Sequence, residues 1–188
     1  MGGLPDLKEN FELTYPTSLR DKWNDPKLGT KLVLKYFLAY QWRLFDLGNL
    51  INALGQHSNR YHFVEWWTAI QLYKKYGLLS LVGKYVGRFP NADEKLHYWK
   101  IERFKEVIPD TLTQKFLKGE RNNRLKLPDL LIYPADKSDY AFVEVKGPGD
   151  RLSDEQKTSF EKIKQRLKKN VHIAWLKTDS ARDKLRIS

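Results

Sequence analysis

The amino-acid sequence predicts an α/β layered core that is preceded by a helical section. Apolar residues recur at helical spacing through residues 28–55. Further along, residues 60–120 have the patterns of a helix, a strand and a further helical segment. The C-terminal part then reads as strand, strand, helix and strand. Because sheet-forming and helix-forming segments alternate, we expect helices packed on a sheet.

The N-terminal third is predicted to be the less regular part. Residues 1–27 contain three of the eight prolines, which is typical of an irregular arm. Residues 28–55 are predicted to form one or two amphipathic helices that end at Gly55. We therefore expect an N-terminal arm and helical section over residues 1–60 and a core over residues 61–188.

The first part of the core is predicted to be helix, strand and broken helix. "RYHFVEWWTAIQLYKKYG" has the pattern of a helix that Gly77 closes after two lysines in its last turn. "LLSLVGKYVG" is a strand candidate, and residues 91–120 form a helical pattern that breaks at "IPD".

The next segment, "PDLLIYPADKSDYAFVEV", predicts a β-hairpin with a defined register. Residues 134–139 are turn-forming, so Tyr133 should face Tyr140. The residue numbers of every other pair then have the same sum as those of Tyr133 and Tyr140, which puts Asp129 opposite Glu144. Since strand side chains alternate, Lys146 shares the face of Glu144.

This register brings two carboxylates and one ammonium group together at one end of the sheet. Like charges in direct opposition destabilise a sheet, whereas a divalent cation between them removes the repulsion. Mg²⁺ suits a few carboxylate oxygens completed by waters and phosphate, and Lys146 would then orient a water or stabilise charge on phosphate. In the alternative interpretation, Glu144 and Lys146 form an ion pair on a half-exposed edge strand, and Asp129 merely begins a strand.

After the hairpin, "SDEQ" predicts the start of a helix. Ser153 fits the N-cap and Gln156 the third helical position of a capping box. This role explains both residues without catalysis. The segment "VHIAWLK" follows the helix as the last predicted strand.

Composition limits the classes of function. The chain has a formal net charge of +11, which suits a polyanionic partner such as nucleic acid. It has no cysteine, which excludes disulfides, cysteine nucleophiles and iron–sulfur clusters. No signal peptide or membrane-spanning stretch is evident, so we expect no membrane association and an intracellular location. That location would be the cytoplasm or nucleoid in a prokaryote or phage, and the nucleus in a eukaryote.

The residues Pro128-Asp129 and Glu144-Val145-Lys146 resemble the PD-(D/E)XK nuclease motif, and "EVKGPGDRLSDEQ" is similar to its VRR-NUC branch. Within that branch the string most resembles the nuclease domain of Fanconi-associated nucleases. The resemblance covers residues 120–177. It implies a restriction-endonuclease-like core, with a mixed central sheet flanked by helices.

The resemblance also implies the roles of individual residues. Asp129, Glu144 and the carbonyl of Val145 would hold Mg²⁺ or Mn²⁺, Lys146 would be the catalytic lysine and Gln156 would support the site. The family also uses a glutamate on an upstream helix, for which Glu65 is our choice and Glu94, Glu102 and Glu106 are competitors. Basic residues near the site are predicted to contact phosphates: Lys118, Arg121, Arg124, Lys126 and Arg151.

The resulting expectation is a metal-dependent, structure-specific DNA endonuclease of repair or recombination. Its substrate would be branched DNA, either a Holliday junction or a flap. Compact VRR-NUC proteins resemble junction resolvases, which act as dimers, so a homodimer is an open possibility. The alternative is a non-catalytic module that binds nucleic acid through its basic surface. The basic stretch "KIKQRLKK" could serve either purpose or simply be a solvated helix face.

Overall fold

The structure, a computed structural model, describes residues 3–24, 63–83, 85–86, 94–119 and 125–179. The strands are β1 (Asn10–Tyr15), β2 (Leu79–Val82), β3 (Leu130–Tyr133), β4 (Ala141–Lys146) and β5 (Val171–Thr178). The helices are α1 (Thr17–Asn24), α2 (Phe63–Tyr76), α3 (Glu94–Val107), α4 (Thr111–Lys118) and α5 (Asp154–Leu167). The helices predicted for residues 28–55 and the predicted domain boundary at residue 60 lie outside the described residues.

The strands form a five-stranded mixed sheet in the order β1-β5-β4-β3-β2. β1 and β4 both pair with β5 in parallel, whereas β3 pairs with β4 and with β2 in antiparallel fashion. The predicted α/β class with a mixed, helix-flanked sheet is confirmed. β4 is the central strand, and all six of its residues are buried.

The β3–β4 hairpin has the predicted register. Leu130 pairs with Val143 and Ile132 with Ala141, so paired numbers sum to 273. Extending the register by one residue places Asp129 opposite Glu144. The turn is stabilised locally, because Asp136 accepts hydrogen bonds from the backbone and hydroxyl of Ser138.

Each face of the sheet is covered by its own hydrophobic cluster. On one face, Val143 and Val145 of β4 pack with residues of α1 and α2 such as Trp23 and Trp66. On the other face, residues of α3, α4 and α5 pack against Phe142. Because side chains alternate along β4, Glu144 and Lys146 share one face, as predicted, and that face is the α5 side of the sheet.

The helix boundaries follow the predicted signals. Gly77 ends α2 with φ +68°, a left-handed conformation that favours glycine, and its N–H donates to the Tyr73 carbonyl at 2.8 Å. The predicted break separates α3 from α4, and Asp110 caps α4 by accepting from the N–H of Thr113 at 2.7 Å.

The irregular arm predicted for residues 1–27 is wrong over β1 and α1. β1 is an edge strand of the main sheet, and Trp67 of α2 donates to the Thr14 carbonyl at 3.0 Å. Phe11, Leu13 and Tyr15 do alternate with polar residues, but the run is only six residues long. It becomes a strand by pairing with β5 about 160 positions away, a contact that no local pattern reveals.

In the described part of the chain, no helix has both the length and the apolar character needed to cross a membrane.

Candidate active site

Three elements meet where β4 ends. The hairpin supplies Asp129, Glu144 and Lys146, the first turn of α5 supplies Gln156, and the first turn of α2 carries Glu65. α5 begins here because its capping box is complete: the Gln156 N–H donates to Ser153 Oγ at 3.1 Å, and Gln156 Oε1 accepts from the Ser153 N–H at 3.1 Å. The cap therefore fixes the position of Gln156.

Glu144 and Lys146 form a buried ion pair. Lys146 Nζ lies 2.6 Å from Glu144 Oε1, and the two residues are 8% and 2% exposed. An ion pair with the predicted spacing is therefore present, but the edge-strand interpretation is wrong, since β4 is the central strand. Burying two charges is costly even when they are paired, so a helix–sheet core gains little stability from this arrangement.

Gln156 connects the two charged side chains. Its Nε2 donates to Glu144 Oε1 at 2.5 Å, while its Oε1 accepts from Lys146 Nζ at 3.1 Å. The amide thus contacts the carboxylate, the ammonium and the backbone at the start of α5 together. Helix capping accounts for only part of the contacts that Gln156 makes.

Asp129 lies beside this pair, on the neighbouring strand. Its Oδ2 accepts from the Val145 N–H at 2.8 Å, and its carbonyl accepts from the Gly83 N–H at 2.7 Å. Burial, followed by the charge of Glu144, raises the pKa of the Asp129 carboxyl to about 7 against the opposing effect of the Val145 hydrogen bond. The carboxyl of Asp129 therefore keeps its proton to a higher pH than an exposed aspartate does.

Glu65 acts on the same carboxyl. It is partly buried on α2, and its negative charge is a further cause of the raised pKa of Asp129. By contrast, Glu106 pairs with Lys137 and Glu102 with Lys105.

The side chain of Glu94, the remaining competitor, lies outside the described residues. Of Glu65, Glu102 and Glu106, it is Glu65 whose charge raises the pKa of the Asp129 carboxyl. Across the described ranges, no three His, Cys, Asp or Glu side chains come close enough to form a ready cluster of metal ligands.

The predicted phosphate-contacting residues are only partly described. Lys118 is partly exposed at the end of α4, and Arg151 is exposed in the loop before α5. Lys126 is exposed and lies 3.4 Å from Glu155, while its N–H donates to Ser159 on α5 at 3.0 Å. Arg121 and Arg124 lie outside the described residues.

Two buried residues beside the site escaped sequence reasoning. The Tyr85 hydroxyl donates to the Pro128 carbonyl at 2.8 Å, and its pKa is raised well above the usual value by burial and then by Asp129 and Glu144. Lys100 of α3 is 2% exposed and donates to the carbonyls of Val82 and Gly83 at 2.5 and 2.9 Å. Tyr85 thus holds the residue before Asp129, whereas Lys100 holds the end of β2, where the Gly83 N–H donates to the Asp129 carbonyl.

A sequence signal for Lys100 was present. The residue precedes Phe104 by four positions and Val107 by seven, so it occupies an apolar position of the α3 pattern. A lysine at such a position needs buried acceptors, which here are the carbonyl of Val82, the last residue of β2, and that of Gly83. Tyr85 has no comparable signal, because its partner is a distant backbone carbonyl.

The donor set suits a divalent cation. Glu144 Oε2 is buried and accepts no hydrogen bond from any described residue, while Oε1 is taken by Lys146 and Gln156. When Asp129 is ionised, two carboxylates face one ammonium, which leaves one negative charge uncompensated. Mg²⁺ is commonly held by one or two carboxylates with waters and substrate phosphate, so these residues fit the group that their resemblance implies.

Comparison with known proteins identifies the family. A sequence model of the VRR-NUC domain matches residues 58–177, which is more than half of the chain. A solved structure of paFAN1 bound to 2-nucleotide 5′ flap DNA with a gap is 27% identical, with a TM-score of 0.27. That match covers 47% of this chain and 14% of paFAN1. The search of curated proteins gave no significant match. The chain belongs to the VRR-NUC family, nucleases with a PD-(D/E)XK-like fold.

Proposed function

We propose that this protein is a metal-dependent DNA endonuclease that hydrolyses phosphodiester bonds in branched or flapped DNA. The observation that carries the proposal is the buried contact between Glu144, Lys146 and Gln156 opposite Asp129. A protein that only binds nucleic acid has no need for carboxylates at such a position, since they repel phosphate.

Asp129 and Glu144, with the Val145 carbonyl and Glu65, would hold Mg²⁺ or Mn²⁺. When bound, the cation would neutralise the carboxylates, lower the pKa of a water and polarise the scissile phosphate. Glu144 would bind the cation through Oε2, because Oε1 already accepts a hydrogen bond from Gln156.

Lys146 supplies positive charge at the reacting phosphate. Its ammonium is fixed by Glu144 and Gln156, so two of its three protons are already directed. The third can contact either the attacking water or a phosphate oxygen on which negative charge develops. Gln156 is a positioning residue, since it holds both the carboxylate and the ammonium. Hydrolysis would leave a 5′ phosphate, as the family resemblance implies.

Basic residues near the site would contact the DNA backbone. Lys118, Lys126 and Arg151, with Arg121 and Arg124, are our choices for phosphate contacts, and the net charge of +11 favours a polyanionic substrate. The preference for branched or flapped DNA rests on the resemblance of "EVKGPGDRLSDEQ" to Fanconi-associated nucleases. A homodimer would suit a four-way junction, which presents two equivalent strands.

The test is a nicking assay on junction, flap and single-stranded DNA with Mg²⁺ or Mn²⁺. Glu144→Gln or Lys146→Met should lower the rate at least about 100-fold, because each removes a charge required at the phosphate. Glu161→Gln and Lys157→Met, which alter exposed residues of α5, should keep the parental rate. Cleavage that survives Glu144→Gln would come from a contaminant, and the non-catalytic binding module would then be the better conclusion.

A further inference from the structure

A groove between α4 and α5 differs from its surroundings in charge. This α4–α5 groove has a volume of about 690 Å³, and its lining includes Lys115, Lys118, Lys162 and Arg166 together with Leu112 and Phe116. None of the described residues that line it is acidic. Two other grooves do carry acids: one contains Asp6 and Glu12, and another contains Asp154 and Glu155.

The cations of α5 divide into two sets. Lys157 pairs with Asp154 at 2.9 Å, and Lys164 pairs with Glu9 at 2.7 Å. Lys162 and Arg166 are exposed, lie four residues apart on one side of the helix and have no ion-pair partner within the described ranges. Lys115 and Lys118, across the groove, likewise have no ion-pair partner among the described residues. Among the residues that the structure describes, positive charge is therefore left uncompensated here, although acids neutralise it elsewhere on the same helix.

The groove also exposes apolar surface between these cations. Leu112 is 67% exposed, the largest exposure of any large hydrophobic residue in the described part of the chain, and the Phe116 ring is only partly buried. Cations that contact phosphates, interleaved with an aromatic ring on which a base can stack, are the usual means of binding single-stranded nucleic acid. A duplex keeps its base faces stacked inside, so it could use the cations but not the ring.

We propose that the α4–α5 groove binds a single-stranded segment of the DNA substrate. The inference rests on the proposed function for the identity of the polyanion. α5 links the two places: Lys162 lies six residues beyond Gln156 and Arg166 ten, which is about 9 and 15 Å along the helix axis. A strand held in the groove would therefore be gripped a few nucleotides from the bond that is cut.

The experiment measures binding without cleavage, by fluorescence anisotropy in chelator, over a range of salt concentrations. The probes are a labelled single strand of about 16 nucleotides and a duplex of the same sequence. Lys162→Gln with Arg166→Gln should weaken single-strand binding about tenfold and reduce the salt slope by about 1.4, the value expected for two lost phosphate contacts. The matched pair Lys157→Gln with Lys164→Gln makes the same change in net charge and should alter binding less than about twofold.

A substitution of Phe116 tests whether a base stacks in the groove. Phe116→Leu should weaken single-strand binding about fivefold or more and leave duplex binding unchanged, whereas Phe116→Tyr should retain both. Equal losses for the single strand and the duplex would overturn the single-strand assignment. Competition by vesicles of anionic phospholipid that depends on Lys162 and Arg166 would also overturn it, in favour of a membrane surface.

Failure of this inference differs from failure of the proposed function. If the parental protein cuts DNA while the groove variants bind normally, the groove assignment is wrong and the nuclease remains. If the groove variants lose single-strand binding while the parental protein cuts no DNA, the groove binds single strands but the proposed nuclease function is wrong. Melting temperatures within about 2 °C of the parental value would establish that each variant is folded.

Discussion

Two lysine–carboxylate pairs of almost equal length lie in opposite surroundings. Lys146 lies 2.6 Å from Glu144 with both side chains under 10% exposed, whereas Lys164 lies 2.7 Å from Glu9 with side chains 40% and 65% exposed. The exposed pair lowers the pKa of Glu9, and water screens it. The buried pair gives up hydration, hydrogen-bonds to Gln156 and lies close enough for its charges to affect the pKa of Asp129. Contact length alone therefore says little about what a charged pair does, whereas burial and neighbours say much.

The largest effect is expected when one member of the buried pair is removed. Glu144→Ala leaves the Lys146 ammonium in the core without its carboxylate, which should lower the free energy of unfolding by about 3–5 kcal/mol. Urea unfolding in chelator measures this loss. A change below about 1 kcal/mol would mean that water reaches Lys146 in solution.

A double substitution sharpens the same comparison. Glu144→Leu with Lys146→Met replaces both charges by apolar side chains of similar size, and such replacements are often neutral or stabilising. We therefore expect urea unfolding to give at least the parental stability, and the nicking assay to give no product. A double variant that is less stable than Glu144→Ala would show that the pair itself stabilises the fold.

Asp129 should make stability depend on pH in the opposite direction to an exposed, ion-paired acid such as Glu9, because its pKa is raised and that of Glu9 is lowered. The folded-state pKa of Asp129 is raised to about 7, so the folded protein binds the proton more tightly than the unfolded chain does. The contribution of this residue to the free energy of unfolding should therefore fall as pH rises from about 4 to about 7, by an amount on the order of 2–4 kcal/mol. We expect denaturant unfolding in chelator to show that the free energy of unfolding of Asp129→Asn falls less between these pH values than that of the parental protein. An unchanged curve would refute the raised pKa.

A smaller effect separates the two roles of Gln156. Ser153→Ala removes the N-cap and should cost about 1 kcal/mol of stability while cleavage continues. Gln156→Ala should cost a similar amount of stability and also lower the cleavage rate, because Glu144 and Lys146 lose their shared partner. Parallel thermal melts and nicking rates make the comparison. Equal rates for the two variants would reduce Gln156 to a capping residue.

The smallest effect belongs to the exposed pair. Glu9→Gln leaves Lys164 in water, so the melting temperature should shift by no more than about 2 °C. A larger shift would mean that the exposed pair stabilises the packing of the β1 end against α5. Exposure would then be a poor guide to how much each pair contributes to stability.

The structural features that the sequence predicted are those determined by residues close together in the chain. A six-residue turn between two largely apolar runs predicted the hairpin register, and "SDEQ" predicted the start of α5. Asp129, Glu144, Lys146 and Gln156 could be placed together because they lie within 28 positions of one another.

Features that depend on contacts between distant segments were not predicted from the sequence. β1 is a strand only because β5 lies beside it, and Tyr85 and Lys100 find their acceptors on other segments. Glu65 was chosen from family resemblance, and only the folded chain brings its charge to Asp129.

The pairing of β1 with β5 has a consequence for synthesis on the ribosome. β1 is synthesised well before its partner β5, which ends at Thr178, and the Thr17 N–H donates to Asp179 at 2.9 Å. At roughly 5–20 residues per second, β1 waits for about 8–30 s before its partner is made. During that interval its backbone groups are open to other chains, and the sheet can close only when translation has almost passed through the domain.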